Sequence, residues 1–275
     1  MLKFTFSTTE KPKGSANQFY LAAAVAVLLG LYAMFALPKC PPQNAIPKDA
    51  PLSEKLGLSA FKLFANGKMA LFFLFTMLLG AALQLTNMYG DVFLSEFGNM
   101  PQYKDSFVVK YSTLIMSISQ ISETVFILAI PFFLKKFGIK KVMLISMLAW
   151  VLRFGFFAYG EPVGFGLVLI ILSCIVYGMA FDFFNISGSL FVENNTDTKI
   201  RASAQGLFMM MSNGFGSILG STVSGWAIDR FFTNGGVKDW YHIWMAFAGY
   251  ALIIAVLFAV LFKHEHQPEQ LSSGH

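Results

Sequence analysis

Charge is what this sequence has least of. Only 13% of its 275 residues are charged and 56% are hydrophobic, whereas a soluble domain carries about 25% charged residues. So few charges cannot coat a water-facing surface, which excludes a soluble fold. Cysteine is nearly missing too. Cys40 follows one apolar run and Cys174 lies inside another, positions that suit neither a disulfide nor a metal quartet. Histidine is sparse as well, with four in the chain, and His264 and His266 fall in a polar tail, where they read as solvated. There is no phosphate loop and no nucleophile elbow. "GFGSILG" is not a dinucleotide fingerprint, because its glycine spacing is wrong and no strand precedes it. The expectation is a protein that is not an enzyme and uses no cofactor or metal. The net charge of +5 does not point to nucleic acid, since the lysines sit in short connections between apolar runs.

What the chain has is apolar length. Seven segments, at 17–37, 69–90, 111–134, 142–159, 164–186, 202–228 and 241–262, lie near the roughly 20 residues that cross a bilayer as a helix. They predict an all-α membrane protein with seven transmembrane helices. The first run loosely resembles a secretory signal, but it is longer than a signal core and lacks a cleavage site. It is read as a span. Sorting the cations by alternating sides puts Lys39, Lys48, Lys55, Lys62, Lys68, Lys135, Lys136, Lys140, Lys141, Lys199, Arg201 and Lys263 on one side. Lys3, Lys11, Lys13, Lys104, Lys110, Arg230 and Lys238 fall on the other. The richer side is the cytoplasmic one, which sets the N-terminus outside and the C-terminus inside. Within 38–68, "PKCPPQNAIPKDAP" reads as a flexible linker. Ser53 then caps a short surface helix with Leu56, Ala60, Leu63 and Phe64 on its apolar side.

Polar groups inside these spans are the next question. Gln84 and Asn87 are spaced i,i+3 in the second span, so they share a helix face, and Gln120 and Glu123 repeat that spacing in the third. In the fifth, "YGMAFDFFNISG" puts Tyr177 and Phe181 one turn apart, with Asp182 beside them. Amides and carboxylates bind hydroxyl and N–H groups, and aromatic faces stack on a ring. The set therefore suits a hydroxylated, planar solute. Amides serve equally well as glue between helices. Burying an acid merely to pack helices is costly, so Glu123 and Asp182 are read as functional. A carboxylate kept from water also takes up a proton readily, which makes both candidates for carrying a proton with the solute. Arg153, the one cation inside a segment, either neutralises one of them or snorkels to an interface, and the structural role is favoured. In the sixth span the rows Gly216–Gly220–Ser224 and Ser217–Ser221–Gly225 allow close helix approach. Gln205 and Asn213 there line a pathway or pack.

"LLGAALQLTNMYG", "SISQISETVFILAIPFFL", "YGMAFDFFNISGSLFVE" and "IRASAQGLFMMMSNGFG" together closely resemble bacterial nucleoside:proton symporters of the major facilitator superfamily. The likeness runs from about residue 17 to 263. "FFLKKFGIKKVMLIS" resembles that superfamily's cytoplasmic loop signature, although the acidic residue is missing. The resemblance implies helices six to twelve of a twelve-helix transporter, with a nucleoside bound between two six-helix halves. Residues 1–37 would hold the last helix of an absent N-terminal half. Residues 38–68 would be a cytoplasmic linker, 69–263 the C-terminal half and 264–275 a cytoplasmic tail. Gln84, Asn87, Gln120, Glu123, Tyr177, Phe181 and Asp182 would bind the nucleoside, and Glu123 or Asp182 would couple it to protons. The expected surroundings are the lipid bilayer of a bacterial inner membrane. Half a cavity should not transport alone, because alternating access rocks one half against the other. The alternatives are a symporter for another polar solute, such as a sugar, or an inactive half-transporter. A retinal protein is disfavoured, since the last span has no lysine.

Overall fold

In lipid no water is available for backbone N–H and C=O groups, so an apolar segment that crosses must bond to itself as a helix. The computed structural model describes residues 16–38 and 51–263 of the chain, and these are almost entirely helical. Two units separate at residues 48 and 49. The first contains α1 (Ala16–Ala36), an unbroken helix whose 21 residues include no charge. Cys40, His264 and His266 lie outside the described residues.

The second unit begins with α2 (Leu52–Lys55) and a tighter 3-10 turn over Leu58–Ala65. Ser53 does not cap a helix here. It lies inside α2, whose cap position is Pro51, without a side-chain bond. The α-geometry stops at Gly57, which is left-handed at φ 69° and packs against the Ser203 side chain. Asn66 then caps α3 (Gly67–Glu96), accepting from the backbone N–H groups of Lys68 at 2.9 Å and Met69 at 3.3 Å. After α4 (Phe107–Lys110) comes α5 (Ser112–Ala158), which is two helices joined by a sharp bend. At the bend Gly138 takes φ 76° and ψ 167°, a conformation open in practice only to glycine. The connection expected at 135–141 is therefore a single-residue break between arms 112–137 and 139–158. α6 (Gly164–Asn194) runs eight residues beyond the expected end of its span. α7 (Arg201–Met209), a wide π-turn over Met210–Gly216 and α8 (Ser217–Phe231) follow without interruption. A two-stranded antiparallel hairpin, β1 (Thr233–Asn234) with β2 (Val237–Lys238), turns through Gly235 and Gly236 into α9 (Trp240–Leu261).

Among the described residues five helices are long and apolar enough to span a membrane, namely α1, α3, α5, α6 and α9. Gly138 divides α5 into two arms and residues 201–231 form one more helical stretch, so the seven apolar runs correspond to seven helical segments among the described residues. Packing follows from small residues. A Cβ on Gly80 would lie 2.0 Å from the Ser212 carbonyl oxygen, and one on Gly216 would lie 2.7 Å from that of Met77. α3 and the π-turn thus touch backbone to backbone. Gly220 and Ser224 extend that row, with Ser224 Oγ 3.2 Å from the Tyr89 hydroxyl. The parallel row does not pack this way: Ser221 bonds within its own helix and a Cβ on Gly225 would meet open space.

Aromatic clusters fill the two ends of the unit. Phe72 packs with Phe191 and Phe208 near one end, and Phe93 packs with Phe157 and Trp244 near the other. At that second end Glu96 accepts from Lys238 Nζ and Trp240 Nε1, each at 2.7 Å, tying α3 to the hairpin and α9. The polar residues of interest lie between the clusters.

Candidate functional site

Gly178 positions the site. A Cβ there would come within 2.5 Å of the Ser122 carbonyl carbon and 2.6 Å of the Glu123 nitrogen, so α6 rests directly on the backbone of the first arm of α5. Ser122 Oγ donates to the Ile175 carbonyl across the same contact. This crossing brings Glu123, half-buried, beside the Tyr177 hydroxyl and within electrostatic reach of Asp182. The Tyr177 and Phe181 rings stack 6.0 Å apart at 5°. Trp150 meets Tyr177 edge-on at 5.8 Å.

Among the described residues only two charged side chains are buried, Asp182 at 6% exposure and Arg153 at 0%. They are treated very differently. Asp182 Oδ2 is buried without a hydrogen-bond partner. Arg153 is anchored, its Nε donating to Thr86 Oγ1 at 3.1 Å and its Nη1 to the Ser173 carbonyl at 2.8 Å. The guanidinium also lies 4.3 Å from the centre of the Tyr177 ring and 5.1 Å from that of Phe157. A charge at mid-membrane costs about 2.5–3.5 kcal/mol on insertion scales, and hydrogen bonds to a charged group return about 1.5–3 kcal/mol each. Arg153 is thus buried with compensation and does not snorkel. Thr86 and Ser173 drew no notice in the sequence, because a lone hydroxyl in a span ordinarily bonds its own helix.

The structure gathers Glu123, Tyr177, Phe181 and Asp182 into one cluster on α5 and α6. Gln84, Asn87 and Gln120 join it through no hydrogen bond among the described residues. Gln84 is half-buried with its Cβ against Gly220, Asn87 is exposed, and Gln120 is exposed on the first arm of α5. A small, open cleft lies beside the cluster, lined in part by Leu83, Trp150, Phe181, Asn185 and Ser212. Gln205 is a packing residue. Its amide donates to the Ser189 carbonyl at 2.8 Å and accepts from Ser189 Oγ at 3.2 Å, joining α7 to α6. Asn213 is exposed and contacts only the Met209 sulfur, at 3.7 Å, among the described bonds.

Comparison with known proteins adds to this geometry. The family described as "Nucleoside H+ symporter" matches residues 4–267. The xanthosine permease of Escherichia coli K12 is 57% identical over 257 residues, covering 94% of this chain and 61% of that protein. The nucleoside permease NupG of the same strain is 53% identical over 252 residues, covering 92% and 60%. A crystal structure of the nucleoside transporter NupG, carrying an aspartate-to-alanine mutation, aligns with a TM-score of 0.80 at 53% identity, covering 90% of this chain and 61% of that one. The chain spans about three-fifths of the length of these relatives.

Proposed function

The chain belongs to the nucleoside H+ symporter family, and from that premise we propose that it forms one wall of a path along which a nucleoside and a proton cross the membrane together. The observation that carries the reading is Asp182, a buried carboxylate with an unpartnered oxygen beside a stacked aromatic pair. An acid held this way has chemistry to do. Tyr177 and Phe181 take the flat base against their rings, while Gln84, Asn87 and Gln120 hold ribose hydroxyls and base edges. Glu123 and Asp182 are the proton carriers. Two nearby negative charges in a medium of low dielectric repel, so taking up one proton relieves the pair and sets the state that binds solute.

Asn87 and Gln120 are exposed at the surface of the unit, where a second set of helices completes the cavity. In this reading α1 closes a preceding half, 38–68 links the halves in the cytoplasm, 69–263 is the C-terminal half and 264–275 is a cytoplasmic tail. The protein sits in the bacterial inner membrane, with the N-terminus of this chain outside and its C-terminus inside.

The test is uridine uptake in cells that lack their own nucleoside transport, comparing this chain with a version extended by five upstream helices. Uptake by the extended form alone is expected. It should fall at least about tenfold, the equivalent of about 1.4 kcal/mol, in Asp182→Asn or Glu123→Gln at equal protein level. Excess unlabelled nucleoside should block it and excess sugar should not. Uptake by neither form, or competition by sugar alone, overturns the nucleoside reading. Robust uptake by the short chain overturns the need for a second wall.

A further inference from the structure

Arg153 has no place in the solute reading, yet it is the most deeply buried charge among the described residues. It forms no ion pair within 4 Å among them, although its charge acts on Glu123. Its Nη2 is buried and unpartnered, and its other nitrogens bond to neutral oxygens on two helices, Thr86 on α3 and Ser173 on α6. Both anchors adjoin the proposed solute residues, for Thr86 precedes Asn87 and Ser173 lies one turn before Tyr177. Ser173 Oγ returns a bond to the Arg153 carbonyl at 2.8 Å, which locks the second arm of α5 to α6 at that level. The guanidinium is thereby held 4.3 Å from the Tyr177 ring centre. Phe181 stacks with the same ring and Trp150 touches it edge-on.

We infer that Arg153 is a positioning residue which, through its cation–π contact with the buried Tyr177 ring, fixes that ring and the Phe181 ring stacked on it, the member of the pair that lines the cleft where the solute's base stacks. The inference rests on the proposed nucleoside site. Arg153 does not touch the solute itself. Its anchors hold the guanidinium where a flexible apolar side chain would leave Tyr177 free to change rotamer. A lysine keeps the charge but lacks the fork that reaches Thr86 and Ser173 together.

Two measurements on the full-length protein in lipid nanodiscs separate this role from simple packing. The first is equilibrium uridine binding in a double-mutant cycle of Arg153→Met and Tyr177→Leu. Arg153→Met is expected to weaken binding about tenfold, the scale of a desolvated cation–π contact, and to add little in the Tyr177→Leu background. Additive losses, or unchanged affinity in Arg153→Met, overturn the inference, because a packing role would not act through the ring. Arg153→Lys is expected to show the same coupling with a smaller loss, and it replaces Arg153→Met if that variant does not accumulate. The second is ¹⁹F NMR of fluorotyrosine-labelled protein, with the Tyr177 signal assigned by its loss in Tyr177→Phe. Arg153→Met should shift or broaden that signal without any ligand. An unmoved signal overturns the positioning role. A moved signal in a protein that binds no uridine supports the positioning role and sinks the nucleoside reading instead.

Discussion

At the seam between α3 and the 210–231 rod, glycines bring backbones into contact and the polar groups are closed off. Gly80, Gly216 and Gly220 allow the approach, and the Tyr89 and Ser224 hydroxyls meet each other. At the seam between α5 and α6, Gly178 allows an equally close approach to Ser122 and Glu123. There, however, Asp182 keeps a buried oxygen unpartnered and Arg153 a buried nitrogen. Lipid provides no hydrophobic drive between helices, so both seams depend on close packing and cross-helix bonds. The difference is that the second seam leaves a buried carboxylate oxygen and a buried guanidinium nitrogen unpartnered. Incomplete satisfaction inside a well-packed contact separates the seam that carries the proposed site from the other one.

Four substitutions sharpen or break that contrast. The largest effect is expected from Gly80→Ala, because its new carbon would sit 2.0 Å from a backbone oxygen that cannot swing aside. Overpacking of this kind costs about 3 kcal/mol or more where the backbone must move. Gly225→Ala, with open space around it, should change stability by less than about 0.5 kcal/mol. Unfolding of both variants in bicelles, followed by steric trapping, compares them directly, and equal losses would show that the seam is not backbone-limited. Next in size is Thr86→Val, which keeps the shape but removes the acceptor of Arg153 Nε. Leaving that buried N–H without a partner costs about 1–3 kcal/mol, read by the same assay. A neutral result would mean that the Ser173 bond and the aromatic contacts hold the guanidinium without Thr86. Smaller than these losses is that of Ser224→Ala, which removes the bond to Tyr89. Cross-helix hydrogen bonds in membranes average about 0.6 kcal/mol, so the melting temperature should drop only slightly. A loss as large as that of Thr86→Val would erase the distinction between the seams.

The sequence shows the spans clearly because lipid demands unbroken apolar length, and all seven expected segments correspond to helix. Their ends were harder to read. Lys135, Lys136, Lys140 and Lys141 look like a loop, but helix continues to both sides of Gly138. The stretch after Ile186 looks like a connection because it turns polar, yet Ser189 and Glu193 face partners, Gln205 and Arg201, so α6 persists to Asn194. For the candidate site, i,i+3 spacing assigns side chains to a face within one helix, which is local information. That Glu123 meets Tyr177 depends on Gly178 resting on α5, a contact between residues far apart in the chain. Arg153 was legible as unusual, but its anchors were not, since Thr86 and Ser173 are ordinary residues until another helix arrives.

The π-turn at Met210–Gly216 carries a consequence for inheritance. A π-turn is what a helix makes of one surplus residue, and one residue is worth about 100° of rotation. It is therefore where the rod changes its heading, from Gln205 facing α6 to the Gly216–Gly220–Ser224 row facing α3. Loss of a single codon from this turn would remove the surplus residue and let the rod run as plain α-helix with that row still on its face, whereas loss of one from the regular helix just before the row would swing the row by about 100°. At this position the gene's length in triplets has a slack of one, held in the wide turn.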